Sequence, residues 1–114
     1  MILNSGNKIL VSHRRLYADD HARFFAGTVQ DYENGIVRVA GYSWVRDPIQ
    51  AKYVRKNDER IKIISLLAGT LVTYVLPDDV TIADLMIHQH KDHKVMLTDG
   101  KEFSMDLTER VPNY

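Results

Sequence analysis

The chain has 114 residues, with 15 Lys and Arg balancing 15 Asp and Glu, and no cysteine. That length suits one domain and leaves no room for two full cores, and the missing cysteine excludes a disulfide framework and a thiolate metal site. A formal net charge of zero makes no general electrostatic case for nucleic acid.

The charge is unevenly spread. Residues 1–77 hold 11 basic and 7 acidic groups, residues 78–114 hold 4 and 8, which reads as two faces of one domain or two surfaces that meet between subunits. No apolar run approaches the ~18 residues of a membrane-spanning helix. Met1–Lys8 lacks the apolar core of a signal peptide, so a cytoplasmic protein is expected.

In chain order, Lys8–Tyr17 opens on the apolar run Ile9-Leu10-Val11 and reads as a strand, followed by a polar turn at Asp19-Asp20-His21. From Arg23 to Arg46, β-branched and aromatic residues flank Glu33-Asn34-Gly35. Asn-Gly between such runs predicts a hairpin, because both residues tolerate positive φ. A three-residue loop with Gly35 at the bulge position sets Val29 opposite Val39. It also puts Phe25, Val37 and Val39 on one face, the expected core.

Residues 46–62 carry six basic and three acidic side chains around Pro48 and are expected to form an exposed loop with at most a short helical turn. Arg60–Leu67 and Leu71–Leu76 read as buried strands split by Ala68-Gly69-Thr70. Val80–His90 admits a helix opened by Thr81 and Asp84, but its alternation of Leu85 and Ile87 with Met86, His88 and His90 favours a strand. Lys94–Thr98 and Lys101–Leu107 then form a hairpin around Asp99-Gly100. A Thr98-Asp99-Gly100 loop sets Val95 opposite Phe103, with Val95, Leu97, Phe103, Met105 and Leu107 on one face. The expectation is a single all-β domain over 1–114: a small bent-strand barrel core at 8–77, an added C-terminal β-hairpin at 78–109, and a tail at 110–114.

Two segments resemble the motifs of the Sm-like (Sm/Lsm) small barrels. Phe25-Ala26-Gly27-Thr28-Val29-Gln30-Asp31-Tyr32-Glu33 is similar to the first motif, and Leu67-Ala68-Gly69-Thr70-Leu71-Val72-Thr73-Tyr74-Val75 to the second. Gly27 stands where a strand must bend to close a small barrel, and Gly69 where two strands turn tightly; Gly35 and Gly100 serve the other two turns. The resemblance covers residues 8–77 and implies a non-enzymatic module without a cofactor. It also implies a homo-oligomeric ring joined by strand pairing between neighbours, with single-stranded RNA as the ligand, held near Glu33, Asn34, Val37, Arg38, Ala68 and Gly69. The match departs from the family at these loops. Glu33 stands for the usual Asp, Val37 for a base-pairing Asn, and Ala68 for a basic residue.

Outside that resemblance, His88-Gln89-His90-Lys91-Asp92-His93 is the densest set of metal-ligand side chains. On a strand, His88 and His90 share a side, and His93 or Asp92 supplies a third ligand across a turn, so a histidine-ligated metal protein is a competing reading. Tyr42 and Trp44 also share a side and could stack bases, with Arg38, Arg46, Arg55 and Lys56 near the phosphates, or else pack a core. His13 and His21 are isolated, no serine sits in a nucleophile elbow, and no phosphate-loop motif is present. A structural or accessory protein without a small ligand is the third reading.

Overall fold

The computed structural model describes residues 2–13, 23–90 and 94–108. The proposed strand beyond His13, the Asp19–His21 turn, His93 and the tail at 110–114 lie outside them. The described residues form nine strands: β1 (Lys8–His13), β2 (Arg23–Glu33), β3 (Ile36–Asp47), β4 (Lys52–Arg55), β5 (Arg60–Ser65), β6 (Leu71–Leu76), β7 (Met86–Gln89), β8 (Val95–Thr98) and β9 (Ser104–Asp106). A single 3-10 turn, Ile82–Asp84, precedes β7. The chain is all-β, as its alternation predicts.

The larger sheet has six antiparallel strands in the order β4-β3-β2-β1-β6, with β5 also pairing β3. Strand β3 serves both neighbours because it is long: Ile36–Gly41 pairs β5, and Trp44–Asp47 pairs β4. The sheet does not close on itself, because β5 pairs only β3 and β6 only β1.

The β2–β3 hairpin follows its sequence signal with one change. Val29 does face Val39, but the turn has two residues, Asn34 and Gly35, at φ 49° and 82°. This is the type I′ geometry that matches strand twist. The extra residue is a bulge at Gln30 rather than a third turn residue. Further along, Gly27 faces Gly41. A Cβ on Gly27 would collide with the Ala40 carbonyl and the Val39 side chain, and one on Gly41 with the Ala26 carbonyl. The bend expected at Gly27 is therefore a two-glycine crossing that brings β2 and β3 backbones together.

Each face of the sheet buries a cluster. The inner face holds Ile9, Val11, Phe25, Val29, Val37 and Val39, with Leu3 from the N-terminal segment. Ile64 and Leu66 from the β5 side and Leu71 from β6 pack against the same cluster, so the sheet curls around it. The opposite, covered face holds Leu10, Phe24, Ala26, Trp44 and Leu76 beneath Val80, Leu85, Ile87, Leu97 and Leu107. The covering layer is a three-stranded sheet, β7-β8-β9, rather than a lone hairpin. Lys8 ties the layers together, its ammonium donating to the Asp78 and Val80 carbonyls.

Three further expectations change. The basic segment 46–62 contains strand β4, paired with Trp44–Asp47; four residues are too short for their periodicity to stand out. Strand β5 is not buried: Ile61 and Ile63 are 62% and 73% exposed. The β8–β9 register sets Leu97 opposite Met105, not Val95 opposite Phe103. The loop is longer because the Asp99 carboxylate accepts from the Lys101 and Phe103 amides, while Gly100 takes φ 76°. The shift is by an even number of residues, so the predicted facing survives.

Candidate functional site

The two loops that the resemblance singles out come together. The Leu66 amide donates to the Gly35 carbonyl at 2.7 Å. The Leu67 side chain lies so close over Gly35 that a Cβ there would stand 3.0–3.2 Å from its atoms. Glu33, Asn34, Ala68 and Gly69 are all exposed on this surface. Gly69 has open space around it and no left-handed φ, so nothing in its geometry demands glycine.

Two of the proposed RNA contacts are placed otherwise. Val37 is fully buried in the inner cluster, where its side chain cannot reach a base. Arg38 donates to Gln30 and pairs with Asp31 at 3.8 Å, both on the neighbouring strand. Trp44 is 1% exposed in the covered core and offers no stacking surface. Tyr42 lies under the Arg55 guanidinium, 4.7 Å from ring centroid to Cζ, and Arg55 also donates to the Ala83 carbonyl. Arg46 donates to Gln89. Of the arginines set near that pair in the sequence, Arg38, Arg46 and Arg55 are tied to protein groups.

His88 and His90 are exposed, and the His90 amide closes the β7–β8 connection by donating to the Lys94 carbonyl. His93 lies outside the described residues, and among those residues no group of three or more metal-ligating side chains converges. A groove of about 500 Å³ runs between β4 and the β7 segment, lined by Trp44, Tyr53, Arg55, Met86 and His88 among others. His88 is the one imidazole in its lining, and the carboxylate there, Asp84, pairs with Lys101 at 3.5 Å.

A different set of polar residues does converge. Opposite residues in an antiparallel ladder point to the same side, and the inner cluster identifies that side. Val11 faces Phe25, Phe25 faces Ser43, His13 faces Arg23, and Val39 faces Lys62. The Lys62 ammonium sits 4.7 Å from the centre of the Phe25 ring and donates to the Ser43 hydroxyl at 3.1 Å. Arg60 follows two residues before Lys62 on the same side, and the Lys56 amide donates to the Ser43 carbonyl at 2.8 Å. Burial of its inner flank, then Lys62 and Arg23, hold the His13 imidazole below its ordinary range. Burial, then Lys56 and Arg60, likewise lower the Lys62 ammonium. Sequence reasoning missed this cluster because its members are scattered between positions 13 and 62; only strand register brings them together.

Comparison with known proteins returns no matching family model, no matching curated protein and no matching solved structure.

Proposed function

We propose that the chain is a non-enzymatic assembly module of Sm-like design. Copies join head to tail, β5 of one against β6 of the next, so that the open, curled sheets continue from copy to copy around a ring. The observation that carries this reading is a pair of free edges of equal length. Strands β5 and β6 are each six residues long, and each is paired on one side only among the described residues. Unpaired strand edges are a standing invitation to another chain, and equal lengths allow full pairing. A heterologous contact of this kind forms a ring when its rotation closes.

Exposed apolar side chains lie on or beside both edge strands. Ile61 and Ile63 lie beside Ala40 and Arg38 of β3, with Ile36 (49% exposed) on the same side; on the other edge strand Val75, which faces Ile9 on the opposite side of the sheet, is 64% exposed. Leaving several large aliphatic groups in water on one strand costs free energy that a neighbouring copy would recover. Single-stranded RNA is the ligand proposed for the surface where Gly35 meets Leu67. Its contacts would come from Glu33, Asn34, Ala68 and Gly69, since Val37 and Arg38 are otherwise engaged.

Light scattering after gel filtration, with absorbance at 260 and 280 nm on the same peak, tests both parts. The expected mass is that of a closed oligomer of about five to eight subunits. A monodisperse monomer overturns the ring. A nucleic-acid absorbance ratio in the oligomer peak supports RNA as the ligand.

A further inference from the structure

Among the described residues, the basic cluster on the inner face differs from an ordinary solvated charged surface in how little its charge is balanced. Arg60 pairs with Asp58 at 3.5 Å, with both side chains exposed. Among the described residues His13, Arg23, Lys56 and Lys62 form no ion pair, while their neighbours Arg38, Arg46 and Arg55 are all engaged by protein groups. Like charges held together raise one another's energy and favour the uncharged forms. An anion placed among them reverses that cost, and phosphate oxygens fit because they accept several hydrogen bonds at once.

The donors are already arranged. One Lys62 N–H is spent on the Ser43 oxygen, and the ammonium is steadied over the Phe25 ring. Because Ser43 accepts from Lys62, its own hydroxyl proton is left to donate. Phe25 is 2% exposed, so it supports the ammonium from below rather than competing for a ligand. His13 stands at the end of β1 and Arg23 at the start of β2, facing each other across the ladder. Thus β1, β2, β3, β5 and the segment after β4 each present a donor to one small area of the inner face.

We propose that Lys62, Ser43 and His13, flanked by Arg23, Lys56 and Arg60, form a phosphate-binding site. It is separate from the Gly35–Leu67 loop surface and does not depend on assembly. The phosphate comes either from the phosphodiester backbone of a single strand or from a free phosphate group.

The test is a titration of isotope-labelled wild-type protein, followed through the amide signals of residues 13, 43 and 62 and the His13 ring. One series uses inorganic phosphate and the other an unstructured oligouridylate of about six nucleotides. Saturable shifts centred on these residues are expected, together with at least a fivefold loss of affinity in Lys62→Gln. If the oligonucleotide is bound, the same variant lowers the salt dependence of binding by about one phosphate contact. Tighter binding of the oligonucleotide than of phosphate assigns the site to the strand backbone; saturation by phosphate alone assigns it to free phosphate. Absence of saturable shifts with either probe overturns the site, as does unchanged affinity in Lys62→Gln. Solution mass is measured on the same samples, so failure of the site and failure of the ring are separately visible. Ser43→Ala, which keeps the charge, is held to the same criterion if Lys62→Gln alters the mass or the fold.

Discussion

At the scale of single residues, the closest constraint in the molecule is the crossing of Gly27 and Gly41. Here the added atom would meet backbone carbonyls rather than the yielding end of a side chain. Gly41→Ala is therefore expected to cost about 3 kcal/mol or to prevent folding, while Gly69→Ala, with open space around it, stays within about 0.5 kcal/mol of wild type; urea unfolding measures both. His13 gives the second prediction at this scale. Its folded-state pKa lies below the ordinary value, so between the two values the unfolded chain binds more protons than the folded one. Stability consequently falls as pH drops through and below about 6.5. His13→Gln should flatten that dependence, seen as a smaller change in the urea midpoint between about pH 7.5 and 5.5. An unchanged slope would show that neither burial nor Lys62 and Arg23 hold this imidazole below its ordinary range. The glycine at 35 was legible in the sequence because Asn-Gly has a local meaning. The one at 41 was not, because its reason is a carbonyl on another strand.

Among the elements, β5 is where pattern and environment part. Ile61-Lys62-Ile63-Ile64 has the composition of an interior strand, yet only Ile64 packs against the inner cluster while Ile61 and Ile63 face outward. Sequence alternation reports which residues share a side but not what covers that side. For an edge strand the cover must come from elsewhere. Replacing both Ile61 and Ile63 by Lys should lower the solution mass to that of a monomer, and leave the melting temperature of the unassembled chain within a few degrees, since no core contact is lost. A variant that keeps the wild-type mass would move the interface off β5. Strand β7 was half-legible for a related reason. Leu85 and Ile87 are buried and Met86 and His88 exposed, as alternation requires, but the preceding Ile82–Asp84 turn is too short for either a helix or a strand signal. In the C-terminal sheet the facing was readable while the pairing was not, because one Asp99 carboxylate lengthens the turn.

For the molecule as a whole, the large sheet uses both faces, which explains why a neutral chain of modest length holds two separate apolar clusters. The covered face is sealed by the chain's own C-terminal strands. The inner face is lined by apolar residues in its centre and carries the basic side chains of His13, Arg23, Arg60 and Lys62 on the same side. The charge imbalance between residues 1–77 and 78–114 thus has a spatial counterpart, with basic side chains collected on the face that the C-terminal strands leave uncovered. The seal has an optical consequence. Trp44 is the only tryptophan in the chain, and it lies in the cluster shared by the two sheets, against the layer that contributes Leu85, Ile87, Leu97 and Leu107. Its indole emission is therefore a built-in gauge of whether the layers are docked. Blue-shifted light means a dry interface; a red shift that precedes loss of β-sheet circular dichroism means the C-terminal sheet lifts away before the six-stranded sheet unravels.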